Sequence, residues 1–117
     1  MKTNHEAVLV LMTAPDPVKA AELGRAAVDR GFAACASVVP GLRSIYRWKG
    51  GIQDEPEALV IFKTTRAHLD SLEGVIKAGH PYEVPEIIAI PIEAGHGPYL
   101  KWITESTIDA DSDQKDI

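Results

Sequence analysis

The stretch His80-Pro81-Tyr82-Glu83-Val84-Pro85-Glu86-Ile87 sets an imidazole, a phenol and two carboxylates on one short connection stiffened by two prolines. Each proline ring fixes its own φ and pushes the residue before it toward extended backbone, so His80 and Val84 are expected to be non-helical. Polar groups held on a rigid loop are well placed to bind a ligand or an ion. The same residues also fit a plain helix-to-strand joint in which His80 and Glu83 satisfy backbone groups, and the loop alone does not choose between the two. The only thiol, Cys35, lies between two alanines in a stretch of strand composition. There it reads either as a small inert hydrophobe or as a soft metal ligand.

The elements that must position these groups fit one domain. A chain of 117 residues holds one core and is too short for two, and 45% hydrophobic with 25% charged residues is ordinary for a folded soluble protein. The domain is expected over residues 1–107, with 108–117 as a disordered acidic tail. The start of a calcium loop is visible in Asp109-Ala110-Asp111-Ser112-Asp113, but the glycine and closing glutamate are missing. One cysteine excludes an internal disulfide and a Cys-based zinc site within the chain. The net charge is -5, and no basic stripe interleaved with aromatics exists, so no nucleic-acid partner is expected. The apolar runs are too short to span a membrane, and the N-terminus lacks the pattern of a signal peptide. A cytoplasmic location is the expectation.

Val8 to Met12 reads as a buried strand, Asp16 as an N-cap and Pro17 as the first residue of a helix. That helix carries Ala20, Leu23, Gly24, Ala27 and Gly31 on one face, and Gly31 is its natural stop. Phe32 to Trp48 has strand composition interrupted by Pro40-Gly41, which predicts a bend or bulge. Lys49-Gly50-Gly51-Ile52-Gln53 reads as a hairpin tip, and Ala58 to Phe62 as the returning strand. Thr65 is the expected cap of a second helix bearing Leu69, Leu72, Val75 and Ile76, ended by Gly79. Ile87 to Ile92 is a fourth strand, and Tyr99 to Ser106 a short last helix. This βαββαβ order predicts an α+β, ferredoxin-like sandwich, two helices on one face of a four-stranded antiparallel sheet. Residues 8–12, 58–62 and 87–92 do not alternate with polar residues, so the second face also needs cover. Further copies of the chain are the expected cover, giving a homo-oligomer.

Taken together, Thr13-Ala14-Pro15-Asp16, Ala34-Cys35-Ala36-Ser37, Ser44 to Gly50, Lys63-Thr64-Thr65, His80 to Ile87 and Tyr99-Leu100-Lys101-Trp102 resemble the CutA divalent-cation-tolerance family. The resemblance runs from about residue 7 to residue 106 and implies a ferredoxin-like subunit assembled as a tight homotrimer. It also implies a role in tolerance to copper and other divalent metals, some relatives binding copper. Position by position it carries over a polar cluster of Cys35, Glu57, Lys63, His80, Tyr82 and Glu83, with Tyr46, Trp48 and Trp102 as aromatic neighbours. Some copper-binding relatives have a further cysteine where this chain has Met12, so thiolate coordination is thinner here.

On that basis Cys35, His80 and Glu83 are the candidate metal ligands, a soft thiolate, an imidazole and a carboxylate able to hold copper or zinc if Cys35 meets the other two across a subunit boundary. Tyr46, Trp48, Glu57, Lys63, Tyr82 and Trp102 are candidate cleft residues. Glu57 and Lys63 share a strand face but stand roughly 20 Å apart, so they cannot pair within one chain. His5, His68 and His96 are expected at the surface. No organic cofactor is expected. An enzyme is not expected either, because nothing supplies an oxyanion hole or a group to orient a Cys35–His80 pair. The rival reading is a signalling or scaffold trimer like the PII proteins, binding a small molecule or a protein partner, by analogy of fold alone.

Overall fold

Asp16 has extended backbone and its Oδ1 accepts the Lys19 N–H at 2.8 Å, while Pro17 occupies the first turn, so the first helix begins where capping chemistry demands. The computed structural model describes residues 1–108. In chain order the elements are β1 (Lys2–Thr3), β2 (Ala7–Ala14), α1 (Pro17–Asp29), β3 (Cys35–Trp48), β4 (Gly51–Thr65), a single 3-10 turn (Arg66–His68), α2 (Leu69–Gly79), β5 (Ile87–Pro91), β6 (Ala94–Gly95) and α3 (Gly97–Glu105). The main sheet runs β3-β4-β2-β5, with antiparallel pairing throughout. This is the expected βαββαβ sandwich.

Val8, Val10, Met12 and Ala14 of β2 and Ala58, Val60 and Phe62 of β4 form the helix-facing side of the sheet and are fully buried. Ala20, Leu23 and Ala27 of α1 and Leu72 and Ile76 of α2 complete that core. Gly24 permits close approach: a Cβ there would meet the Ala36 Cβ at 3.0 Å. Gly31 ends α1 with φ +76°, and the hairpin tip turns through Lys49 and Gly50, both with positive φ.

The other face carries Leu9, Leu11, Leu59, Ile61, Val39, Ile88 and Ile90. Helix α3 lies against β2 and β4 and buries Ile103. Ile88 and Ile90 remain 50% and 41% exposed. Among the described residues, the apolar run of Ile87 to Ile92 therefore has no complete cover.

Between Val39 and Leu42 the β3–β4 register shifts by one residue, at the Pro40-Gly41 step. Before the bulge Cys35, Ser37 and Val39 pair with Lys63, Ile61 and Leu59. After it Leu42, Ser44, Tyr46 and Trp48 pair with Glu57, Glu55, Gln53 and Gly51. Paired residues share a face, so the extra residue transfers Tyr46 and Trp48 to the Glu57 side. Arg43 clamps Asp54 on the opposite side with two bonds of 2.8 and 2.7 Å, bracing the hairpin across its strands.

Two local expectations are corrected. His68 is not at the surface: it is 5% exposed, with Nδ1 at 2.7 Å from Thr65 Oγ1 and Nε2 against the Ile108 carbonyl. Thr65 is not a side-chain cap, because its hydroxyl is committed to His68 and a 3-10 turn precedes α2. The N-terminus is tied down by two-residue pairing of β1 with β6 and by Asn4, whose amide donates to the Ala7 and Ile92 carbonyls. Of the expected tail, Ile108 packs against the core and donates its N–H to the Gly31 carbonyl; residues 109–117 lie outside the described residues.

Candidate functional site

The proline-braced loop is pinned by its histidine. His80 has extended backbone, as the following proline requires, and its ring lies 2.7 Å from the Thr13 carbonyl through Nε2 and 3.1 Å from the Tyr82 N–H through Nδ1. A carbonyl only accepts and an N–H only donates, so the ring is the Nε2–H tautomer. Neither nitrogen is left for a metal in this arrangement. The ring instead joins the end of β2 to the loop, and packs beside the Tyr82 ring at a centroid distance of 4.7 Å.

That placement aims Tyr82 at β4. Its hydroxyl donates to Glu57 Oε2 at 2.7 Å, and burial first, then the Glu57 carboxylate, pushes the phenol well above its usual range. Tyr82 is therefore a firm donor at neutral pH. Around this pair opens a cleft of about 550 Å³, with Tyr46, Trp48, Ser44 and Ile45 from β3, Thr13 from β2, and Glu83, Val84 and Glu86 from the loop. Lys49 stands at its mouth, Nζ 3.8 Å from Glu83 Oε2 and 5.7 Å from the Trp48 ring centroid. Five predicted residues thus meet in one place: Tyr46, Trp48, Glu57, Tyr82 and Glu83.

The remaining candidates lie elsewhere. Lys63 donates to Ser37 Oγ at 2.6 Å and stands 3.8 Å from Cys35 Sγ, forming a separate polar group on the second face of the sheet. Burial, and secondarily Cys35, raise the pKa of Tyr99, which stacks on Trp102 at 5.4 Å; Trp102 belongs to this α3 pair and not to the cleft lining. Cys35 is level with Leu9 in the sheet and His80 with Thr13, four residues or roughly 13 Å further along the ladder. A single chain does not bring Cys35, His80 and Glu83 together. Among the described residues no three His, Cys, Asp or Glu side chains are gathered to hold a metal ion.

Residues 8–106 match the family described as CutA1 divalent ion tolerance protein. The chain belongs to this family. It is 44% identical over 99 residues to the divalent-cation tolerance protein CutA of Thermus thermophilus, covering 85% of this chain and 96% of that one. It is 41% identical over 96 residues to human protein CutA, covering 82% of this chain but 54% of the human one, so it spans about half of that longer relative. A solved Thermus thermophilus divalent cation tolerance protein superposes with a TM-score of 0.84 at 44% identity, covering 86% of this chain and 98% of that one. CutA1 from Oryza sativa gives 0.87 at 38%, covering 90% and 96%. The family description and the Thermus thermophilus relative carry divalent-ion or divalent-cation tolerance names.

Within this CutA1-family chain, sequence reasoning missed Thr13, Ser44 and Glu86 as parts of the cleft and Lys49 at its mouth. Glu86 and Lys49 were legible as neighbours of Glu83 and Trp48. Ser44 needed the one-residue parity change at the bulge, and Thr13 acts on His80 through its backbone carbonyl, which no side-chain pattern announces.

Proposed function

We propose that this protein acts in divalent-cation tolerance as a homotrimer that holds copper or another divalent ion at clefts between subunits. The observation that carries the reading is the cleft itself, which collects Glu57, Glu83 and Glu86 while, among the described residues, no basic side chain lines it and Lys49 stands only at its mouth. Carboxylates suit hard divalent ions, and Cys35 adds a soft donor that copper or zinc favours. Because Cys35 lies along the sheet from its own cleft, it serves only a site completed by a neighbouring subunit. The incompletely covered face with Ile88 and Ile90 is the surface on which copies would associate. His80 acts as a positioning residue, setting the loop that carries Glu83.

The aromatic lining favours a second reading, a PII-like signalling or scaffold trimer that takes a small molecule. The test that separates them begins with sedimentation at micromolar concentration, where a trimer is expected. An anaerobic titration with Cu(I), Cu(II) and Zn(II) against a competing chelator follows. Stoichiometric binding weakened by Cys35→Ser and Glu83→Gln supports the metal reading. Weak binding, indifferent to both substitutions, removes it.

A further inference from the structure

The cleft joins three aromatic rings to three carboxylates: Tyr46, Trp48 and Tyr82 with Glu57, Glu83 and Glu86. Glu57 is the deepest of the acids, 9% exposed, and one of its oxygens accepts the Tyr82 hydroxyl. Its second oxygen accepts no hydrogen bond among the described residues, yet no buried polar side-chain atom there lacks a partner. That oxygen therefore retains access to the cleft, carrying negative charge to its floor. Aromatic faces add their own negative potential, and a ring beside a carboxylate attracts a large, weakly hydrated cation.

The chain supplies its own example. The Lys49 ammonium stands over the Trp48 ring and beside Glu83 at the cleft mouth, meeting one ring and one carboxylate together. Within one chain the cleft carboxylates are not gathered tightly enough to hold a compact metal ion without a further donor from a neighbouring subunit, whereas an organic ammonium needs no converging oxygens. About 550 Å³ is also far more than an ion fills, and falls within the range of organic ligand sites.

We propose that this cleft binds the ammonium group of a small organic cation. The rings of Tyr46, Trp48 and Tyr82 pack against its alkyl surface, and Glu57 and Glu83 balance its charge. Lys49 competes for the outer part of the same site. This goes beyond the metal reading and does not depend on metal affinity, so either can fail without the other.

The experiment uses the full chain in EDTA at matched ionic strength. Choline is the probe, its neutral isostere 3,3-dimethylbutan-1-ol the control, and the Trp48 indole N–H resonance, assigned with Trp48→Phe, the readout. Choline is expected to shift that resonance saturably, and the neutral alcohol to bind about tenfold more weakly or worse. Lys49→Ala should tighten choline binding several-fold, and Glu57→Gln, which keeps an acceptor for Tyr82, should weaken it. An unmoved Trp48 resonance, equal binding of the alcohol, or an affinity unchanged in Lys49→Ala would each overturn the proposal. Because EDTA removes metal, failure of the metal titration leaves these outcomes untouched.

Discussion

Replacing His80 separates a positioning role from a ligating one. The ring makes two part-buried hydrogen bonds, at 2.7 Å to the Thr13 carbonyl and 3.1 Å from the Tyr82 N–H, and packs beside the Tyr82 ring. At a net ~0.5–1.5 kcal/mol per bond, His80→Ala should cost ~1–3 kcal/mol, with the lower half of that range expected because water can reach the loop. His80→Gln can still donate to Thr13 through its amide and should recover part of the loss. Denaturant unfolding at fixed protein concentration measures both, and long-range ¹H–¹⁵N NMR reads the tautomer directly. The account predicts a protonated Nε2 and a metal affinity in His80→Gln within a few-fold of the parent. A protonated Nδ1, or full stability in His80→Ala combined with complete loss of metal binding, would refute it and make His80 a ligand.

Deleting Gly41 removes the extra residue of the bulge but leaves Leu42, Ser44, Tyr46 and Trp48 opposite Glu57, Glu55, Gln53 and Gly51, so both rings should keep to the Glu57 side; choline binding is expected to persist with far-UV circular dichroism kept, and its loss would contradict this register. Gly24→Val places branched carbon against Ala36, only 3.0 Å from the first added atom, and should cost ~1–3 kcal/mol in denaturant unfolding. Tyr82 has a folded-state pKa raised above its ordinary 10.0, so the folded state holds its proton longer than the unfolded chain. Its contribution is complete below pH about 10 and declines as pH rises toward the folded value, and Tyr82→Phe should flatten that alkaline loss in urea titrations.

Local rules made much of this architecture legible. The Asp16-Pro17 start of α1, the Gly31 stop and the turn at Lys49-Gly50 follow from backbone preferences that act within a few residues. The strands of the βαββαβ order followed from apolar runs. What stayed hidden depended on distant partners. His80 and Thr13 are 67 residues apart in the chain, and His68 is buried by a contact with Ile108 40 residues on. Neither pairing leaves a periodic trace. The candidate site was legible in part for the same reason: Tyr46 and Trp48 were legible as candidate cleft residues, but which face they take depended on a one-residue bulge whose place was foreseeable and whose parity effect was not. The pairing of β1 with β6 spans two residues on each side, too short for any pattern to register.

The carboxylate-lined cleft as a cation site completed by a neighbouring subunit is tested most directly by anomalous diffraction at the copper edge, on crystals of the full chain grown with stoichiometric copper. The account predicts a peak at a subunit boundary, within about 2.0–2.3 Å of Glu83 from one subunit and Cys35 from its neighbour, with His80 still bonded to Thr13. Copper on the exposed His5 or His96, or on an His80 released from Thr13, would contradict it.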